Sequence, residues 1–150
     1  PDRIQAFQDA RRVMKHGGRF IFSVPGHIRH NPAADCLQDT MDDLFPADPP
    51  RFLERVLPVY ADSETIDDDL SAAGFTDAIY TSVELPYSAA SALDVAMGYC
   101  LGTPLCSEIE LRVPGEAERV TDAVVAAIKE RFGSGPVTTS MRAHIVSASG

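Results

Sequence analysis

Two histidines lie close together directly after an apolar segment of the chain, at positions 27 and 30. Imidazole changes its charge near neutral pH, so His27 or His30 could take a proton from an oxygen or nitrogen nucleophile. Together with Cys36 they could instead ligate a metal ion, but the His-x-x-His spacing alone is not specific and we assign no metal site. The alternative interpretation is two exposed loop residues without a chemical role.

A second group of side chains could bind a small apolar molecule. Met97, Tyr99 and Cys100 lie in an apolar segment with helical spacing, and methionine and aromatic side chains suit adaptable apolar pockets. Thr103 follows this segment and could form the lip of such a pocket, and Tyr60, after a proline-rich stretch, is a weaker candidate of the same kind. Ordinary helix packing, ended by a plain helix stop, is the alternative interpretation.

The size and composition of the chain limit the classes of protein that these residues can belong to. The chain has 150 residues, a formal net charge of −9 and 45% hydrophobic residues, which predicts one domain with its own core. No apolar run reaches the roughly 18 residues of a membrane span. The acidic balance argues against nucleic acid as a partner, because a phosphate backbone requires a basic surface.

The three cysteines indicate the redox setting. Their number is odd and no Cys-x-x-Cys spacing occurs, which predicts free thiols in a reducing, cytoplasmic environment. Cys36 and Cys100 fall on apolar helix faces and are predicted to be buried and inert, whereas Cys106 is predicted to be exposed.

The spacing of apolar residues predicts an α/β fold in the order helix, strand, helices, strand, helical insertion, strand. The strands are predicted at residues 19–24, 78–85 and 141–148, and the helical insertion covers about residues 86–136. Asn31 is predicted to cap a helix that begins at Pro32, and Gly74 is predicted to end another in a Schellman motif with Phe75.

The first strand carries large apolar side chains on both of its faces. Phe20 and Phe22 alternate with Ile21, which is typical of an interior parallel strand that helices cover on both sides. Three strands are too few to give this strand a neighbour on each side. We therefore expect its exposed edge to pair with a second copy of the chain, forming a homodimer.

Residues 7–24, FQDARRVMKHGGRFIFSV, resemble the helix and fifth strand of class I S-adenosylmethionine-dependent methyltransferases. The variant is similar to the ubiquinone/menaquinone-biosynthesis type (methyltransferase type 11), whose usual form is A-R-V-L-K-P-G-G-R followed by a hydrophobic residue. Met14 replaces the leucine and His16 replaces the proline. The segment Ala-Ala-Gly-Phe at positions 72–75 and the segment 144–148 are similar to the family's last two strand regions.

The resemblance implies that the chain is the C-terminal part of a Rossmann-like methyltransferase domain. That domain has a mostly parallel sheet whose last strand is antiparallel, and its cofactor-binding half would lie upstream of Pro1. No Gly-x-Gly-x-Gly sequence follows a predicted strand here, so we assign no cofactor-binding residues to this chain. S-adenosylmethionine would serve the full-length protein, and this chain alone would be inactive.

The resemblance also implies where a small-molecule methyl acceptor would bind. Acceptor contacts would come from the loop after the first strand and from the helical insertion. The substrate-binding candidates are therefore Ser23, His27, His30, Asn31, Tyr60, Met97, Tyr99 and Thr103. The competing hypothesis is a stand-alone α+β binding or interaction module without catalysis, whose Gly-Gly motif is accidental. The coding sequence upstream of Pro1 distinguishes the two.

Overall fold

A computed structural model describes residues 2–56 and 63–150 of the chain. The elements follow the predicted order of helices and strands. They are α1 (Arg3–Val13), β1 (Arg19–Pro25), a 3-10 turn (Ile28–His30), α2 (Pro32–Leu44), α3 (Phe52–Val56), α4 (Ser63–Ala72), β2 (Thr76–Ala89), α5 (Ala92–Cys100), α6 (Leu105–Arg112), α7 (Ala117–Phe132) and β3 (Val137–Ser149). The helical insertion before the last strand is confirmed, and it begins after Ala89 because β2 is longer than predicted.

The helix that precedes β2 ends in the predicted Schellman motif. The amide of Phe75 donates to the carbonyl of Leu70 at 2.9 Å, and the amide of Gly74 donates to the carbonyl of Ser71 at 3.0 Å. Gly74 has a φ of 88°, which a residue with a Cβ rarely adopts. Phe75 and Leu70 are both buried, and they provide the apolar contact of this motif at the point where the chain enters β2.

The three strands form one sheet in the order β1-β3-β2. β3 is antiparallel to both neighbours, so β1 and β2 run in the same direction on either side of it. The expectation that the last strand is antiparallel is confirmed. β1 spans only the half of β3 from Ala143 to Ser149, whereas β2 pairs along the whole strand, from Ser149 to Val137. The β2–β3 pair therefore extends beyond the carboxyl end of β1.

One face of this sheet is packed against α1 and α4, and we call it the covered face. Its strands contribute Phe20, Phe22 and Val146 to a buried cluster with Phe7 of α1. Phe20 also stacks on Phe75 with ring centroids 5.4 Å apart. Such aromatic contacts add to the hydrophobic stabilisation of burial.

The opposite face of the sheet, which we call the bare face, shows that the prediction of a strand buried on both faces was wrong. Ile21 of β1 is 64% exposed and Ile79 of β2 is 57% exposed, so β1 is not buried on both faces. The reason is that α1 and α4 lie on the same side of the sheet. β1 is also not an interior strand in the described part of the chain, because β3 is its single partner there. Large apolar residues on both faces of β1 therefore did not mean that helices cover both faces.

The remaining helices form a second group beyond the end of β1. α2, α5, α6 and α7 enclose a separate apolar cluster that includes Leu37, Val95 and Val124. Val137 of β3 and Tyr87 of β2 join this cluster from the projecting end of the strand pair. The boundary between this helical group and the sheet therefore lies beside the carboxyl end of β1. None of the helices in the described ranges has the length and apolar character to cross a membrane.

Candidate functional site

A cavity of about 210 Å³ lies at the carboxyl end of β1, between the sheet and the helical group. The residues that line it are Ser23, Val24, Pro25, Asn31, Ala34, Tyr99, Met141, Arg142 and Ala143. Three of the sequence-predicted candidates, Ser23, Asn31 and Tyr99, therefore meet in one place. In a sheet flanked by helices, the carboxyl end of a strand is where ligands commonly bind.

The loop that leaves β1 is held close to β3 by a glycine. The amide of Gly26 donates to the carbonyl oxygen of Arg142 at 2.7 Å. A Cβ at position 26 would stand 3.0 Å from the same oxygen, so this approach requires glycine. The contact fixes the course of the chain into the 3-10 turn and α2, and with it the position of Asn31.

Asn31 occupies the N-cap position of α2, as predicted, but its side chain makes no capping hydrogen bond. Its Nδ2 instead donates to the carbonyl oxygens of Gly26, at 3.3 Å, and His27, at 3.1 Å. Both donors are thus occupied, which fixes the orientation of the amide. Among residues 2–56 and 63–150, no donor reaches Oδ1, and no buried side-chain oxygen or nitrogen there lacks a hydrogen-bond partner. Oδ1 is therefore open to solvent, although Asn31 as a whole is only 6% exposed.

Tyr99 reaches the cavity from α5. Burial raises the pKa of its hydroxyl to about 12, with a smaller contribution from Tyr87. The hydroxyl therefore keeps its proton at neutral pH and can donate a hydrogen bond. It makes no hydrogen bond to another side chain or backbone group in the described parts of the chain. Asn31 and Tyr99 are thus the polar residues that the loop and the helical insertion bring to the cavity lining.

The other lining residues are mostly uncharged. Ser23 is exposed at the end of β1, opposite Ile145. Arg142 is the one charged residue of the lining, and its guanidinium lies 4.0 Å from the carboxylate of Glu84. The lining includes no carboxylate, thiol or imidazole, so it provides shape and hydrogen bonds rather than a group that removes protons at neutral pH.

The two histidines do not line the cavity. The 3-10 turn buries Ile28 between them, while His27 is half-buried and His30 is exposed. The Nδ1 of His27 accepts a hydrogen bond from the amide of Arg29 at 3.2 Å, so the ring stabilises its own turn. The ring centroids are 6.2 Å apart. No group of three potential metal-ligating side chains occurs in the described parts of the chain.

Two further candidates also lie away from the cavity, and one falls outside the described residues. Met97 is 46% exposed, because it lies on the side of α5 opposite Tyr99. Thr103 joins two helices: its hydroxyl donates to the carbonyl of Tyr99 at 2.7 Å and accepts from the amide of Leu105 at 3.2 Å. Tyr60 lies outside the described residues.

The cysteines are free thiols. Cys36 and Cys100 are buried, as predicted, whereas Cys106 is half-buried and not exposed. Burial raises the pKa of Cys100 to about 11, and it also raises the pKa of Cys36 despite a hydrogen bond from Arg131. Both thiols are therefore protonated near neutral pH, which is the unreactive form.

Two larger hollows lie elsewhere on the molecule, and both are open to solvent. One, of about 620 Å³, lies at the end of α1 among the basic residues Arg11, Arg12 and Lys15 and beside His16. The other, of about 410 Å³, lies beside Asp48 and Arg112. Neither contains a sequence-predicted candidate. The smaller cavity is the better site because its walls are mostly apolar and because it holds three of the predicted residues.

Sequence reasoning missed six of the lining residues. They are Val24, Pro25, Ala34, Met141, Arg142 and Ala143. The available signal was the predicted last strand: once it is paired with β1, Pro25 stands opposite Ala143, next to Arg142 and Met141. The register of that pairing is not encoded in any local motif.

Comparison with known proteins finds similarity in structure but not in sequence. No protein-family profile matches the chain, and no curated protein matches it. A solved structure of Haemonchus contortus Phospholethanolamine N-methyltransferase 2, in complex with phosphomonomethylethanolamine and S-adenosylhomocysteine, aligns over 99% of this chain. The TM-score is 0.41 and the sequence identity 12%. The chain spans 30% of the length of that protein. We draw no functional argument from a similarity at this level.

Proposed function

We propose that the chain is the acceptor-binding, C-terminal part of an S-adenosylmethionine-dependent methyltransferase, and that a small-molecule acceptor binds in the cavity at the end of β1. The observation that carries the proposal is that Ser23, Asn31 and Tyr99, which are distant along the chain, line one cavity. This cavity lies at the end of the strand whose sequence resembles the methyltransferase family.

The topology supports the proposal. The resemblance implies a sheet of parallel strands with one reversed strand at the end of the chain. β1 and β2 run in the same direction, and β3 lies reversed between them. The helical insertion before β3 contributes Tyr99 to one wall of the cavity, as an acceptor-covering segment should.

The cavity is small for a molecule of the cofactor's size. Its volume of about 210 Å³ is below the roughly 300–1,000 Å³ of pockets for drug-sized ligands, and S-adenosylmethionine combines a nucleoside with an amino acid. When bound, the cofactor would supply a methyl group that is already activated on a sulfonium. We propose that its binding residues lie upstream of Pro1, so this chain alone would neither bind it nor transfer a methyl group.

The role of this chain's residues would be to bind and orient the acceptor. Asn31 and Tyr99 would hold one polar group of the acceptor, while Met141 and Ala143 would exclude water from its apolar part. Alignment of the reacting atoms is a large part of catalysis in a displacement whose electrophile is already activated. Because no base lines the cavity, the acceptor would have to supply its own nucleophilic lone pair.

We further propose that the protein is cytoplasmic and that residues 1–150 on their own form a homodimer. The free thiols agree with a reducing compartment. The dimer would form through the outer edge of β1, which has no strand partner in the described residues and carries the exposed Ile21. An unpaired strand edge is a template for pairing with another chain.

The test uses the protein encoded by the complete gene. With tritiated S-adenosylmethionine and a panel of small acceptors, we expect methyl transfer from that protein and none from residues 1–150 alone. Tyr99→Phe should lower the transfer rate without changing the affinity for S-adenosylhomocysteine. The matched control is Met97→Leu on the opposite side of α5, which should leave the rate unchanged.

Two outcomes would contradict the proposal. One-to-one binding of S-adenosylhomocysteine to residues 1–150, measured by calorimetry, would mean that this chain holds the cofactor site. A start codon immediately upstream of Pro1, without a glycine-rich strand-loop-helix segment, would instead favour the stand-alone binding module.

A further inference from the structure

We propose that the hollow of about 620 Å³ at the end of α1 binds a small molecule with a phosphate or pyrophosphate group, and that the guanidinium of Arg11 is its anchor. The hollow lies at the opposite end of the sheet from the cavity described above. Gly150 in its lining follows Ser149, which pairs with Arg19 at the beginning of β1. This inference goes beyond the proposed function, and failure of either one does not affect the other.

Arg11 differs from the other arginines in having no partner. In the described ranges, each of the others forms an ion pair with a carboxylate, except Arg19, which donates to the hydroxyls of Ser147 and Ser149. The guanidinium of Arg11 forms neither an ion pair nor a hydrogen bond with residues 2–56 or 63–150. A guanidinium carries five N–H donors. Those of Arg11 are therefore free to bind an anion.

Two glycines allow the chain to pack closely around Arg11. At Gly74, in the Schellman motif after α4, an added Cβ would stand 3.1 Å from Nη1 and 3.2 Å from Cζ of Arg11. The guanidinium therefore lies directly on this turn, where a larger residue would crowd it. At Gly150, an added Cβ would stand 3.7 Å from Cγ of the same side chain. These contacts limit the freedom of Arg11, so less affinity is lost to side-chain ordering when an anion binds.

The charges around Arg11 leave the hollow positive. Arg12 and Lys15 line it as well. Arg12 pairs with Asp9 at 3.3 Å, but both side chains are more than half exposed, so water and salt weaken this pair. The carbonyl ends of α1 and α4 also lie here, and each carries roughly half a negative charge. Together they offset about one of the three positive charges.

A small phosphate compound suits this site better than a large anionic surface. Guanidinium N–H groups bind phosphate oxygens in pairs, and a phosphate monoester carries roughly two negative charges near neutral pH. The volume of the hollow lies within the roughly 300–1,000 Å³ of small-molecule pockets. The chain as a whole has a net charge of −9, which repels an anionic membrane or a nucleic acid. A small ligand is affected mainly by the nearby cations, because physiological salt screens charges beyond about 8 Å.

The experiment titrates pyrophosphate into residues 1–150 at constant ionic strength and follows the backbone amide NMR signals. We expect saturable shifts at residues 11–18 and 73–75, and none around Asn31 in the cavity. Arg11→Gln should weaken binding about ten-fold, because a charge-assisted contact with the phosphate is lost. Arg11→Lys keeps the charge but loses the paired N–H groups, and it should weaken binding about three-fold.

The matched control is Lys129→Gln. Lys129 is exposed on α7, in the helical group, and this variant changes the net charge by the same amount as Arg11→Gln. It should leave the affinity for pyrophosphate unchanged. If it weakened binding as much as Arg11→Gln does, the net charge and not the hollow would attract the anion, and the inference would be wrong.

Other outcomes would also overturn the inference. One is the absence of saturable shifts with pyrophosphate, and another is equal affinity of Arg11→Gln and the natural sequence. Vesicles of equimolar phosphatidylcholine and phosphatidic acid distinguish a lipid headgroup from a free phosphate compound. If they bound the chain while pyrophosphate did not, the ligand would be a membrane lipid and not a small molecule.

Discussion

The two faces of the sheet differ although the same three strands build both. On the covered face, Phe20 and Phe22 pack with Phe75 and with α1 and α4. On the bare face, Ile21 and Ile79 are more than half exposed. The side chains of a strand therefore set which faces are suited to burial, whereas the chain connections decide which face is covered.

The largest expected effect comes from the covered face. Phe75→Ala would remove a buried ring that stacks on Phe20 at a centroid separation of 5.4 Å. We expect a loss of about 3–5 kcal/mol in the free energy of unfolding, since loss of the ring also leaves a cavity. Urea denaturation followed by circular dichroism measures it.

The matched control on the bare face is Ile79→Ala. Because Ile79 is largely in water already, its truncation should cost about 0.5 kcal/mol or less. Equal losses in the free energy of unfolding for the two variants would mean that the bare face is covered in solution. The two faces would then not differ in burial.

Local features of the fold could be predicted from the sequence, and features that depend on distant pairing could not. The Schellman motif at Gly74 involves residues within one turn. The lengths of β2 and β3 were underestimated, because their additional residues are largely polar or small and are held by cross-strand pairing.

The same distinction applies to the candidate site. Ser23, Asn31 and Tyr99 could be proposed from their positions along the chain. The cavity that brings them together depends on the register between Pro25 and Ala143, which are far apart in sequence. The histidines at 27 and 30 were attractive because of their chemistry, but a 3-10 turn buries Ile28 between them and leaves His30 in solvent.

The next prediction concerns Gly26, at the boundary where the sheet meets the cavity. Gly26→Ala would place a Cβ 3.0 Å from the carbonyl oxygen of Arg142 in the central strand. That strand is paired on both sides and cannot easily move. We expect a loss of about 1–3 kcal/mol, by urea denaturation, from the overpacking.

Gly135→Ala is a suitable control for Gly26→Ala. A Cβ at position 135 would meet no atom within 4 Å, and its φ is not in the left-handed region. The substitution should therefore leave the stability nearly unchanged. If Gly26→Ala also left the stability unchanged, the close approach of the loop to β3 would not be what positions Asn31.

A smaller effect, which depends on pH, is expected at the margin of the covered face. The hydroxyl of Tyr80 donates to Asp67 Oδ1 at 2.5 Å. Burial, and then the hydrogen bond and negative charge of Asp67, raise the pKa of Tyr80. The folded protein therefore keeps this proton at a pH where the unfolded chain has lost it. The stabilisation is complete below about pH 10, the ordinary tyrosine pKa, and declines as the pH rises further.

Tyr80→Phe tests this linkage. At pH 8 we expect a loss of about 1 kcal/mol, because the hydrogen bond is partly exposed to water. Above about pH 10 the variant should lose stability less steeply than the natural sequence, and the two curves should converge. Thr81→Val, the next residue along β2 but on the bare face, should leave the slope unchanged. If the stability of Tyr80→Phe and that of the natural sequence changed with pH in parallel, the raised pKa of Tyr80 would be contradicted.

The smallest effect on folding is expected at the position that matters most for association. Ile21→Lys places a charge on the bare face beside the open edge of β1, where Ile21 is largely in water. The free energy of unfolding of the monomer should change by no more than about 0.5 kcal/mol. Dimerisation should nevertheless be lost, because a lysine on an edge strand opposes pairing with another chain.

Sedimentation velocity over a range of concentrations separates the two effects. The natural sequence should show a concentration-dependent dimer, and Ile21→Lys should remain monomeric. Leu111→Lys is the control, since Leu111 is an exposed apolar residue on α6, away from the sheet. If it dissociated the dimer as well, general surface charge would be the cause and not the edge of β1. A natural sequence that stays monomeric at every concentration would show that an uncovered apolar face need not be a contact surface between copies.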